Sequence, residues 1–169
     1  YQNGMLLGAD REGMAAEYLV HFPMLAHPGP KKVLLLGTGL NGPLQEILKH
    51  GPAEVVSIDL DPEFNGCAAG HLPADLQATL EDERIRFWHG DGRDFFRENT
   101  EKFDVVIANF PDPLSILVGR NYTEEFFRQV RDHLEEGGIF ATHLGFAANY
   151  VTAELERLSV SRSLWHGGH

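Results

Sequence analysis

Between Lys31 and His50 the sequence passes from a short apolar run, through six residues that include three glycines, into a segment opened by Pro43. Lys31–Leu36 is strand-length and bounded by Pro30 and Gly37, so it reads as a buried strand. Gly37-Thr38-Gly39-Leu40-Asn41-Gly42 follows at once with the spacing G-x-G-x-x-G. Pro43–His50 then predicts a helix, with proline at its start and Gly51-Pro52 past its end. The glycines have a steric purpose. They let the backbone turn tightly and let a ligand approach it beside the free N–H groups of the helix. Asp59 stands twenty residues after Gly39, at the end of the next apolar run. A carboxylate there can accept two hydrogen bonds from ribose hydroxyls. The loop alone also fits a turn that binds nothing. Loop, context and acid together favour a nucleotide-type ligand.

The rest of the chain repeats the alternation of strand and helix, which argues for a parallel α/β sheet. Glu12–His21 predicts a helix stopped near Pro23, and Glu54–Leu60 the second strand. Glu63–Leu80 should cross back as a helix, although Asn65-Gly66 and Pro73 interrupt the pattern. Arg84–His89 and Phe103–Phe110 read as strands three and four. Thr123–Leu134 is the clearest helix: Thr123 can cap it, Glu124 and Glu125 suit its positive end, and Phe126, Phe127, Val130 and Leu134 form an apolar stripe. Gly137-Gly138 is expected to end it, followed by a fifth strand, Ile139–Leu144, and a helix over Thr152–Leu158. Gly90-Asp91-Gly92 lies just past the third strand, where Asp91 can accept a hydrogen bond from an exocyclic adenine amine. An ordinary Asp-Gly turn is the bland alternative. All these residues fall at carboxyl ends of strands, where open α/β sheets bind ligands.

Composition narrows the classes. A net charge of -11 disfavours wrapping a phosphate backbone, so no nucleic-acid partner is expected. No apolar run is long enough to span a bilayer, so this segment is expected to make no membrane contact. One cysteine, Cys67, rules out an internal disulfide and a multi-cysteine zinc site; it suits a cytoplasmic protein, and no metal is expected. Dehydrogenases share the glycine loop, but little chain remains for their substrate-binding portion, which lowers a nicotinamide reading. His89 and His143 read as structural histidines and Trp88 and Trp165 as packing residues. His166 and His169 read as a loose tail. Phe110 suits either an adenine ring or the core, and Tyr122 and Tyr150 either an acceptor pocket or packing.

Ala26-His27-Pro28-Gly29-Pro30-Lys31-Lys32-Val33-Leu34-Leu35-Leu36-Gly37 resembles the spermidine synthase (polyamine aminopropyltransferase) approach to its glycine loop. Leu48-Lys49-His50, Asp59-Leu60-Asp61-Pro62, Gly90-Asp91-Gly92, Asp112-Pro113 and Tyr122-Thr123-Glu124-Glu125-Phe126-Phe127 fall at matching spacing. Pro111-Asp112-Pro113, Arg120-Asn121-Tyr122-Thr123 and Ala148-Asn149-Tyr150 look most like a subgroup attached to a membrane-embedded portion. The resemblance implies a Rossmann-like methyltransferase fold: a mostly parallel sheet with helices on both faces. It would form a single domain over residues 1–169, with a lead-in helix in 1–30, the core sheet in 31–145 and a tail in 146–169. Such sheets usually carry two further strands, and the chain starts on Tyr1. The last strands are therefore expected to be missing and the chain to be an excerpt, for instance the cytoplasmic part of a longer membrane protein.

The resemblance also implies an activity: transfer of an aminopropyl group from decarboxylated S-adenosylmethionine to a polyamine. An acidic protein suits such a cationic acceptor. The implied donor site comprises Gly37, Thr38, Gly39, Leu40, Gly42, Asp59, Leu60, Asp91, Gly92, Asn109 and Phe110, with Asp112 and Asn109 at the catalytic positions. Family members assemble as dimers or tetramers, which leaves a homodimer open. Two departures carry chemical weight. Leu40 stands where the family has an aspartate for the donor's ammonium, and Asn109 where it has a proposed general base. An alkylammonium must lose a proton before its nitrogen can attack, and an amide cannot take that proton. Asp112 is then the remaining candidate base. Leu40 does not repel a carboxylate, so intact S-adenosylmethionine and methyl transfer form a second reading. A non-catalytic adenosyl- or polyamine-binding domain is a third.

Overall fold

Five of the apolar runs pair side by side. The structure, a computed structural model, describes residues 11–37, 39, 42–59, 74–110 and 119–143. Its elements in chain order are α1 (Arg11–Ala26), β1 (Lys32–Leu36), α2 (Pro43–Lys49), β2 (Glu54–Asp59), α3 (Ala74–Leu80), β3 (Ile85–His89), α4 (Gly92–Glu98), β4 (Phe103–Ala108), α5 (Glu124–Asp132) and β5 (Leu134–Thr142). A 3₁₀ turn, Arg120–Tyr122, leads into α5. The sheet order is β3-β2-β1-β4-β5 and every pairing is parallel. Among the described residues no helix is long and apolar enough to cross a membrane.

Alternation along the strands sends side chains to two separate cores. Val33, Leu35, Val55, Val105 and Ile107 pack with Leu19, Val20 and Met24 of α1 and Leu44 and Ile47 of α2. Leu34, Leu36, Val56, Ile58, Val106 and Ala108 pack with Phe95 and Phe96 of α4 and Phe126 and Val130 of α5. Helices thus cover both faces, as expected for a strand pattern without polar alternation.

Two expectations need correction. The first helix does not stop near Pro23; it runs to Ala26 with Pro23 inside it, and the Pro23 carbonyl still accepts a bond from His27 N at 3.2 Å. Val20 and Met24, on either side of the proline, are fully buried against the sheet, so packing outweighs the lost helical hydrogen bond. Gly137-Gly138 does not end the last helix. The helix ends at Asp132, with His133 as its C-terminal cap, and β5 starts at Leu134 rather than Ile139. Phe103 pairs with Leu134 but Val105 with Ile139, so the two glycines lie in a bulge inside the strand, with Gly137 at φ 79°. In addition, α4 occupies a stretch for which the sequence pattern predicts no element. The anticipated helix over Thr152–Leu158, most of the crossing segment before Ala74, and the tail lie outside the described residues.

Candidate functional site

The strand order reverses between β1 and β4, and the carboxyl ends of the strands meet there. Leu36 pairs with Ile58 on one side and Ala108 on the other, while Asp59 pairs with His89. Just past these ends two hydrogen bonds lock the neighbours together. Gly37 N donates to Ile58 O at 2.9 Å, and Asn109 N donates to Leu36 O at 2.8 Å. This is the switch point at which open α/β sheets form a ligand crevice.

The glycine loop is built by close packing. Gly37 has φ 94°, and a Cβ there would lie 2.4 Å from the Asn109 carbonyl oxygen. A Cβ on Gly39 would lie 2.5 Å from Leu44 Cδ1. Gly42, at φ 104°, caps α2 with no side-chain hydrogen bond; Leu44 N donates instead to Gly39 O at 3.4 Å and Glu46 N to Gly42 O at 3.1 Å. The glycines therefore serve the turn and its close packing on β4 and α2.

Asp91 is the N-cap of α4: its Oδ1 accepts from Arg93 N at 2.9 Å. Its Oδ2 pairs with Arg120 Nη2 from the turn before α5. Gly92 opens α4, and a Cβ there would come within 3.2 Å of Leu36 Cδ2, which fits the helix start tightly against the end of β1. The sequence marks Asp91 as a ligand residue, with an Asp-Gly turn as the alternative; the capping role and the arginine partner are findings of the structure. The capping role had a sequence signal: an aspartate ahead of Asp94, the apolar pair Phe95-Phe96 and Arg97. Gly92 masked it. The pairing with Arg120, 29 residues away, had none.

Asn109 and Phe110 are half-buried just past β4. Phe110 packs against the α4–α5 core and meets Phe126 edge-on, with ring centroids 5.9 Å apart, while staying only partly buried. Trp88 does pack, edge-on to Phe95 at 5.4 Å. His89 and His143 are exposed at the ends of their strands, and Tyr122 is half-buried. Thr38, Leu40, Leu60, Asp112, Tyr150, Trp165, His166 and His169, and the side chain of Asp59, lie outside the described residues. Among the described residues no three His, Cys, Asp or Glu side chains gather as a metal would require. The arrangement brings the entry of α2 at Gly42, the end of β2 and the capping carboxylate of Asp91 to the carboxyl ends of the strands.

Residues 12–156 match the spermine/spermidine synthase domain. The chain belongs to that family. It is 39% identical over 137 residues to the polyamine aminopropyltransferase of Korarchaeum cryptofilum (strain OPF8), covering 80% of this chain and 42% of that protein. It is 38% identical over 125 residues to polyamine aminopropyltransferase 1 of Aquifex aeolicus (strain VF5), covering 73% and 44%. It therefore spans less than half the length of these curated relatives. A spermidine synthase solved with the transition-state analogue AdoDATO superposes with TM-score 0.70 at 34% identity, over 78% of this chain and 45% of that one. Spermidine synthase from Thermotoga maritima superposes with TM-score 0.74 at 28% identity, over 92% and 51%. The spermidine synthase fold expected from the motifs is thus the fold observed.

Proposed function

We propose that this spermidine synthase-type domain carries the donor site of an aminopropyltransferase acting on a polyamine. One observation carries the reading. The Gly37–Gly42 loop, the end of β2 at Asp59 and the capped Asp91 converge on the switch point of a sheet that superposes on spermidine synthases. In this reading Asp59 takes the ribose hydroxyls and Asp91 the adenine amine of decarboxylated S-adenosylmethionine. Gly37, Thr38, Gly39, Leu40, Gly42, Leu60, Gly92, Asn109 and Phe110 enclose the rest. The acceptor amine loses a proton, and its nitrogen attacks the propyl carbon next to the sulfonium. The carbon–sulfur bond breaks, and methylthioadenosine leaves. Asp112 takes the proton; Asn109 can only orient, being an amide. Catalysis of this kind rests on alignment and electrostatics. A cytoplasmic setting and a homodimer belong to the same reading.

Two measurements test it. Calorimetric titration should show methylthioadenosine and decarboxylated S-adenosylmethionine binding more tightly than intact S-adenosylmethionine or NAD. Asp112→Ala should abolish transfer while adenosyl affinity stays within about 2-fold, since that residue touches the acceptor side. Retained transfer would remove Asp112 from the mechanism. Leu40 supports a second reading, methyl transfer, because it neither binds an ammonium nor repels a carboxylate. A preference for intact S-adenosylmethionine in the same titration would select it, and binding without turnover on any amine would leave a non-catalytic domain.

A further inference from the structure

Two arginines cross between the entries of α4 and α5. Arg93, in the first turn of α4, donates from Nη2 to Thr123 Oγ1 at 2.8 Å and lies 3.6 Å from Glu125 Oε2. Thr123 is the N-cap of α5 and accepts from Phe126 N at 3.3 Å. In the opposite direction Arg120 reaches Asp91, the N-cap of α4. Thr123 Oγ1 also lies 3.3 Å from Arg120 O, as donor to it, which fixes the backbone that carries Arg120. Each capping side chain is therefore held by an arginine from the other helix's entry.

The consequence falls on Asp91. Its Oδ1 is committed to the α4 backbone, so Oδ2 is the oxygen left to face a ligand. A carboxylate oxygen has two lone pairs. Arg120 occupies one of them and fixes the plane of the group. It also offsets the charge, which an unpaired carboxylate at the mouth of an acidic protein would otherwise present.

Resting on the donor-site reading above, we propose that Arg120 is a specificity-determining positioning residue. It orients Asp91 Oδ2 so that its free lone pair meets the exocyclic amine of the adenine. Selection of adenine over bases lacking that amine then depends on Arg120, although Arg120 itself need not touch the base.

The test compares methylthioadenosine with methylthioinosine, which carries a carbonyl in place of the amine. Affinities are measured by calorimetry on the whole chain. Wild type should favour methylthioadenosine by about 100-fold, as expected when a charged acceptor loses its donor and faces a carbonyl. Arg120→Ala should reduce that ratio by about 10-fold or more. Arg120→Lys keeps the charge but offers a single point donor, so it should give an intermediate ratio. It also carries the test should the alanine variant not fold. An unchanged or increased ratio in the variants would overturn the proposal while leaving the donor site intact. A wild type that binds neither nucleoside would overturn the donor-site reading and this role with it.

Discussion

At Gly37 the backbone turns with φ 94° while its α-carbon faces the Asn109 carbonyl. No other residue meets both demands. An added methyl would overlap that oxygen, at 2.4 Å, on a backbone conformation that already strains any L side chain. Gly37→Ala should therefore destabilise the protein by about 2–4 kcal/mol, measured by urea unfolding, through separation of the ends of β1 and β4. This residue was legible in the sequence because its signal is local: a glycine directly after an apolar run and before a helix. Arg120 was not. It opens a 3₁₀ turn inside the Arg120-Asn121-Tyr122-Thr123 motif, which marks a resemblance but not a partner, and its meaning comes from Asp91, 29 residues earlier in the chain.

Between elements, the joint of α1 and α2 holds an unusual polar group under the sheet. His21 Nδ1 and His50 Nε2 are 2.7 Å apart, so one donates and the other accepts. His21 Nε2 lies 3.1 Å from Glu46 Oε2, and Lys49 Nζ donates to the same carboxylate at 2.6 Å. Glu46 is buried. Burial first, and the His21 ring second, hold His50 below its ordinary pKa of 6.5, with Glu46 pulling the other way. A folded-state pKa below the unfolded one means that acid favours unfolding. The contribution of His50 is complete above about pH 6.5 and fades as the pH falls. Urea melts between about pH 8 and pH 5 should show wild type losing stability on acidification, and His50→Gln losing less. An equal loss in both would assign the acid sensitivity elsewhere. At this scale two element boundaries depart from the local signals in the sequence. Pro23 and Gly137-Gly138 are local stop signals, and both were overridden: the proline by burial of α1, the glycines by pairing of β5 with β4.

At the scale of the whole sheet, one charged group lies far from the candidate site. At the amino ends, opposite the candidate site, Lys32, Glu54, Arg86 and Glu101 close a ring of ion pairs, with N–O distances of 2.6 to 3.1 Å. Burial would raise the Glu101 pKa, but the bond from Lys32 and the Arg86 charge outweigh it and hold the carboxyl below its ordinary value. The ring is partly solvated, so its contribution is small. Glu101→Gln should lower stability by about 1 kcal/mol or less and Tm by about 2–4 °C at low salt, with a smaller difference at high salt. Methylthioadenosine affinity should not change, because the ring lies at the far end of the sheet. A loss of affinity would mean that the two ends of the sheet are coupled.

The sequence by itself determined the class of fold, the strand–loop–helix unit at Gly37, the capped helix at Thr123 and the family. Each of these is written in short-range periodicity, in turn chemistry, or in motifs a few residues long. Tertiary structure alone decided the strand order, the passage of α1 through Pro23, the bulge at Gly137 and the arginine exchange between α4 and α5. Those features depend on contacts between residues tens of positions apart, where burial and pairing energies exceed the preference of any single residue and leave no local trace.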